Sequence, residues 1–168
     1  QECIAAKLDN TLALDYPAEM LEVVVAADGS DDGTMAIVRQ YEARDPRVHL
    51  LHQPERQGKP AALLRALPLI TGEVIVFTDA NCFFRPDAVR CLVRNLADPE
   101  VGGVGGEKRI HSAEGSLTSR GEGLYWRYES YLKACDSAVS SVMGVPGEIW
   151  AARRSAYVAP DRDSILDD

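Results

Sequence analysis

Val23-Val24-Val25-Ala26-Ala27-Asp28-Gly29-Ser30-Asp31-Asp32-Gly33-Thr34 (VVVAADGSDDGT) runs five small apolar residues straight into a turn with three carboxylates, two glycines and two hydroxyls. The apolar run has the composition of a buried strand. Asp, Gly and Ser are ordinary turn formers, so the turn has a purely structural reading. It also has a binding one, because an open parallel sheet holds ligands beyond the carboxyl ends of its strands. The choice depends on what lies to either side.

Upstream, Ile4, Ala5, Leu8 and Leu12 fall at helical spacing, and Asp15-Tyr16-Pro17 ends that helix before a strand from Leu21 to Ala27. Downstream, Asp32-Gly33-Thr34 leads into a helix carrying Met35, Ile37, Val38 and Tyr41, which Asp45-Pro46 breaks. Val48 to His52 reads as a short strand. Gln57-Gly58-Lys59-Pro60 opens a third helix, with Pro60 suited to its first turn. Thr71-Gly72 stops it, and Glu73 to Asp79 (EVIVFTD) is the clearest strand of all. Arg85-Pro86-Asp87 starts a fourth helix to about Ala97, and the glycine-rich Val101 to Gly106 reads as a strand. Strands and helices that alternate, with unbroken apolar strands, predict an α/β fold with a mainly parallel sheet covered on both faces.

After Gly106 the alternation stops. His111 to Gly115 is a polar loop, and Leu117 to about Cys135 is a long helix with the aromatic cluster Leu124-Tyr125-Trp126-Arg127-Tyr128. Gly144-Val145-Pro146-Gly147 is a turn and Glu148 to Ala152 a short strand. The chain is accordingly read as one domain in two parts, residues 1–106 and residues 107–168.

With 168 residues, 46% of them hydrophobic, the chain can bury a core as a single domain. Eighteen Lys and Arg against 26 Asp and Glu leave a net charge of −8, which disfavours nucleic acid or anionic lipid as the main partner. One nucleotide is still compatible with that charge if backbone dipoles or a metal hold it. Cys3, Cys82, Cys91 and Cys135 lack CxxC or Cys/His metal spacing and read as reduced cytosolic thiols. No apolar run approaches the ~20 residues of a membrane span. The chain starts inside a helix without a capping residue and stops at Ile165-Leu166-Asp167-Asp168, so both ends are expected to be cut from a larger protein.

Two acidic turns fall at strand ends: Asp28-Gly29-Ser30-Asp31-Asp32 and Thr78-Asp79-Ala80-Asn81. Gly29 and Gly33 do not form GxGxxG, and no Walker lysine follows a glycine loop. Carboxylates repel phosphates unless a divalent cation intervenes. Asp79 and Asn81 offer hard oxygen ligands suited to Mg²⁺ or Mn²⁺ bridging to a diphosphate. Asp28 would then accept hydrogen bonds from a base or sugar. Trp126 and Trp150 read as core or interface residues in preference to sugar platforms. Arg153 and Arg154 read as solvated or, alternatively, as facing the diphosphate. His49, His52 and His111 read as structural.

VVVAADGSDDGT, QGKPAALLRAL, GEVIVFTDANCFFRPDAV and EGLYWRYESYLKACDS together resemble a family 2 glycosyltransferase of the GT-A type, in order and spacing over essentially the whole chain. The resemblance implies a Rossmann-like fold, with residues 1–106 as the nucleotide-binding part and 107–168 as the acceptor-side part, and an inverting enzyme. Such an enzyme moves a sugar from a nucleoside diphosphate to an acceptor with Mg²⁺ or Mn²⁺, in many members as a membrane-attached polysaccharide synthase with a cytoplasmic catalytic domain. It implies Asp28 as the uracil contact, Gly58 and Lys59 as the glycine-lysine step near the donor, and Asp79 and Asn81 as the Asp-x-Asp metal motif. Asp167 and Asp168 fall at the late acidic pair, with Asp168 favoured as general base. The donor is expected to be a UDP-sugar and the acceptor a polysaccharide or lipid. The alternatives are a nucleotidyltransferase or a non-catalytic sugar-nucleotide-binding fragment.

Two departures bear on binding. Ala27-Asp28 stands where many relatives carry two acids, and Asn81 replaces the second Asp, so a metal is expected to rest mostly on Asp79 and the diphosphate. The resemblance further implies that the family's first strand, central in the order 3-2-1-4, lies upstream of the helix at Cys3 to Ala13 and is absent from this chain. The strands Leu21–Ala27 and Glu73–Asp79 would then close up, or a segment of a second copy would fill the gap. The isolated piece is expected to bind UDP poorly and to show no transfer.

Overall fold

The structure is a computed structural model that describes residues 3–107, 117–142, 144, 145 and 147–161. It begins with α1 (Ile4–Leu12), whose inward stripe is Ile4, Lys7, Leu8 and Thr11, three of them by apolarity or size and one, Lys7, against its charge. Ile4 and Leu8 pack on Val38 of α2 (Thr34–Glu42) and Val48 of β2 (Val48–Gln53), and both valines are fully buried. Tyr41 pins α2 to α1 by donating its hydroxyl to Asp9 Oδ1 at 2.7 Å. β1 (Val23–Asp28) pairs with β2 in parallel, from Val23 opposite Val48 to Asp28 opposite Gln53. A parallel pair needs a crossover, and α2 supplies it.

The second half of the core is built on β3 (Val74–Thr78), β4 (Gly103–Gly105) and β5 (Ile149–Arg153), in the order β3-β5-β4. β5 runs antiparallel to both neighbours. The expected α/β architecture holds, with one difference from a mainly parallel sheet: the parallel pairing lies in β1 and β2, and the ladders of β5 are antiparallel. β5 is covered on both faces: Val89 and Leu92 of α4 (Ala88–Asn95) share one cluster with Ile149 and Ala151, and Leu63, Leu67 and Tyr157 pack against a second cluster of Ile75, Phe77 and Ala152. A strand covered on both sides reads as an unbroken apolar run whichever way it points, so the pattern carries no direction. The fifth helix, α5 (Leu117–Val139), lies between β4 and β5 in the chain. Among the described residues no helix is long and apolar enough to cross a membrane.

β1 and β3 belong to separate sheets. They do not close up on each other. A cleft of about 1190 Å³ lies between them, with Val24 and Ala26 on one side, Val74 and Val76 on the other, and Leu8 and Ala62 in its lining. With no ladder across the cleft, side chains join the two sheets. At the start of β1, Glu22 accepts hydrogen bonds from Thr71 N–H (2.7 Å), Gly72 N–H (3.2 Å) and the Thr71 hydroxyl (3.0 Å). Burial acts to raise the Glu22 carboxyl, but these donors outweigh it and hold the group below its usual value of 4.5.

A carboxyl depressed by folding contributes stability above its unfolded pKa and loses it as pH falls through the folded value. The wild-type chain should therefore lose stability on acidification below about pH 4.5. Glu22→Gln should cost about 1 kcal/mol at pH 7 and less at pH 3, by the usual size of a charge-assisted bond at a partly exposed site. Urea unfolding at the two pH values checks this, and an equal cost at both would show that Glu22 is not acting as a carboxylate brace.

Candidate donor and cation site

β1 ends at Asp28, and the turn beyond it is made possible by Gly29. Its φ of +67° lies in the left-handed region, and a Cβ there would stand 2.6 Å from Arg56 Cβ and 2.9 Å from Arg56 Cα. The segment after β2 therefore folds directly over the first acidic turn. Further along that turn, Asp32 accepts from the Thr34 N–H at 3.0 Å at the start of α2.

Asp28 is the anchor for the segment that covers it. Its Oδ2 accepts the N–H groups of Gln57 (2.8 Å) and Gly58 (2.7 Å), and its Oδ1 accepts Arg65 Nη2 at 2.5 Å. Arg65 stands on α3 (Lys59–Ala66) and also donates to Gln57 Oε1 at 3.2 Å. Burial pushes the Asp28 carboxyl up, and Arg65 with the two N–H groups pulls it down further, leaving it below the usual carboxylate range. A carboxylate offers about four acceptor positions, of which three are filled from within the protein. Gly58, at φ +91°, makes the turn into α3 that aims its own N–H at Asp28.

The next residue turns to the other acidic turn. Lys59 Nζ lies 3.2 Å from Asp79 Oδ1. Successive residues 58 and 59 thus tie the ends of β1 and β3 to each other across the cleft, and both predicted strand-end turns come to one rim. Asp79 is half-buried and Asn81 exposed, in a turn that the Cys82 N–H closes onto Asp79 O at 3.2 Å.

Among the described residues no three His, Cys, Asp or Glu side chains gather as a metal cage. The Asp79 and Asn81 oxygens, two residues apart in one turn, fit a hard cation that takes its remaining ligands from a diphosphate and water. They do not fit an all-protein site.

Three contributors were not legible as site residues. Lys7 Nζ donates to Thr78 Oγ1 at 2.9 Å and to Cys82 O at 2.5 Å, and stands 3.7 Å from the Phe84 ring centroid. Asn10 exchanges two hydrogen bonds with the Phe84 backbone. The third is Arg65. A lysine inside the apolar stripe of α1 was the available signal for Lys7; nothing local marks Asn10 or Arg65.

Arg153 and Arg154 are engaged elsewhere: Arg153 donates to Leu96 O and Asp98 O past the end of α4, and Arg154 to Ile70 O. Trp150 stacks on Phe77 with centroids 4.1 Å apart and rings 11° from parallel. Asp167, Asp168, His111 and the Trp126 side chain lie outside the described residues.

Known proteins resemble both the sequence and the fold. An N-acetylglucosaminyltransferase of Rhizobium meliloti is 33% identical over 159 residues, which cover 94% of this chain and 36% of the relative. A mannosyltransferase from Pyrobaculum calidifontis, solved in complex with GDP-Man and Mn²⁺, is 33% identical and superposes with a TM-score of 0.75 over 92% of this chain and 41% of its own. The fold alone is shared with a glucosyl-3-phosphoglycerate synthase from Mycobacterium tuberculosis solved with UDP, at 21% identity, a TM-score of 0.55, and 91% and 54% coverage. The chain thus spans little more than a third of the length of its N-acetylglucosaminyltransferase relative. Residues 1–158 match the profile of glycosyl transferase family 2, and the chain belongs to that family.

Proposed function

We propose that this chain is the donor-binding part of an inverting glycosyltransferase that moves a sugar from a UDP-sugar to a polysaccharide or lipid acceptor. The observation that carries the reading is the convergence of Asp28, Gly58, Lys59 and Asp79 on one rim, joined by the bonds of residues 58 and 59. Asp28 holds the segment over the base site and keeps an acceptor position for the base. Lys59 neutralises charge on the departing diphosphate. A divalent cation, Mg²⁺ or Mn²⁺, when held by Asp79 and Asn81, would supply further neutralisation of that diphosphate. Asp168, with Asp167 beside it, is the proposed general base: it takes the acceptor hydroxyl proton as that oxygen attacks the anomeric carbon in a single in-line displacement. A GDP-sugar donor is the second reading, favoured by the Pyrobaculum mannosyltransferase solved with GDP-Man.

A thermal-shift panel of UDP, GDP and their sugars with Mn²⁺ tests the donor, and stabilisation by guanosine but not uridine compounds would replace the first reading with the second.

Asp79→Ala should weaken Mn²⁺-dependent UDP binding by about tenfold or more and leave binding in chelator unchanged. Equal losses in both conditions would overturn the assignment. Asn81→Asp should lower the Mn²⁺ midpoint, and an unmoved midpoint would remove Asn81 from the ligand set.

In a longer protein with measurable transfer, Asp168→Asn should abolish turnover while donor affinity stays within about twofold, because a base acts on the acceptor in the transition state. Retained turnover would move the base to Asp167 or elsewhere.

A further inference from the structure

The turn that carries Asp79 and Asn81 projects from the end of β3; within it Cys82 N–H bonds Asp79 O and the Thr78 hydroxyl bonds Asp79 O at 3.3 Å, and Lys59 pairs with Asp79 from across the cleft. Its two ends are held from α1. Lys7 Nζ bonds Thr78 Oγ1 just before the turn and Cys82 O just after it, so one ammonium spans the whole loop. One helical turn along α1, the Asn10 carboxamide donates to Phe84 O at 2.9 Å and accepts the Phe84 N–H at 2.7 Å. The Phe84 ring in turn lies under the Lys7 ammonium. Past the helix, Asp15 N–H bonds Pro86 O at 2.8 Å.

Lys7 is only 5% exposed and shares its stripe with Ile4 and Leu8, where an apolar side chain would suit the core better. An ammonium is tolerated in such a place only when its donors are satisfied. Burial draws its pKa down to about 8, with Cys82 and Asp79 opposing the shift, so the charged donor form prevails at pH 7. The charge is thus retained at a site that packing alone does not favour, and its partners are the two flanks of one turn.

We propose that Lys7 and Asn10 are positioning residues that hold the Asp79-Ala80-Asn81 turn in the geometry that receives a divalent cation and its diphosphate, without touching either. The inference rests on the reading of Asp79 and Asn81 as the cation-facing pair. Two effects of Lys7 oppose each other. Its positive charge near Asp79 disfavours a cation, and its anchoring favours one. Asn10 is neutral and reads the anchoring alone.

The test is an Mn²⁺ titration of a longer protein that contains this chain and binds UDP, followed by paramagnetic broadening of the amide NMR signals of residues 79–84, well below the melting temperature. Asn10→Ala and Lys7→Met are each expected to raise the Mn²⁺ midpoint by about tenfold, the usual effect of losing a group that orients a ligand. A residue with a merely structural role would lower the melting temperature and leave the midpoint of the folded protein in place. An Asn10→Ala midpoint within about twofold of wild type overturns the inference. If Lys7→Met fails to fold, Asn10→Ala decides alone. Asp79→Ala is the control. If it abolishes the localised broadening while the α1 variants do not move it, the cation reading stands and the positioning role falls. If wild type shows no localised broadening, or Asp79→Ala leaves it unchanged, both fall.

Discussion

The placement of the two acidic turns rests on charge-assisted bonds between the sheets of β1 and β3. Two sheets stand on either side of a 1190 Å³ cleft, and no strand pairing crosses from β1 to β3. In most α/β proteins the backbone ladder sets the distance between neighbouring strands at about 4.8 Å. Across the cleft, carboxylates at both ends of β1 bond to the segments that flank it. Glu22 grips the Thr71-Gly72 turn at one end, and at the other Asp28 holds Gly58 while Lys59 holds Asp79. The relative position of the two acidic turns is therefore an electrostatic matter, set by charge-assisted bonds that are stronger than neutral ones.

That join is also where the chemistry gathers. Gly58 donates its backbone N–H to Asp28 while the side chain of its successor reaches Asp79, and its left-handed φ makes this turn available. Asp28 and Asp79, at one end of that join, line the rim proposed to receive a nucleotide and a cation. Structure and site are the same set of bonds, so Asp28 reads as an anchor before it reads as a ligand contact. Three of its acceptor positions are already in use.

α1 shows how a residue that braces a distant loop can hide in a core pattern. Its stripe of Ile4, Lys7, Leu8 and Thr11 has helical spacing whether or not Lys7 is counted, so the lysine reads as a tolerated exception. Only folding brings residue 7 beside residues 78, 82 and 84. Asn10 and Arg65 act over comparable separations, reaching Phe84 and Asp28. Separations of that size leave no trace in local spacing.

The sequence by itself determined the elements, the strand-end acidic turns and the family. Apolar periodicity, proline and glycine placement and turn chemistry are local, and each acts within a few residues of its cause. It placed Asp28, Gly58, Lys59, Asp79 and Asn81 at strand and helix ends, where the structure has them. It did not determine the direction of β5, because a strand buried on both faces has the same pattern in either direction. Nor did it determine what Asp28 touches, which depends on a loop folded over Gly29 from beyond β2. Tertiary structure alone decided those matters, since the partners of a charged group are chosen by proximity in space and not by position along the chain.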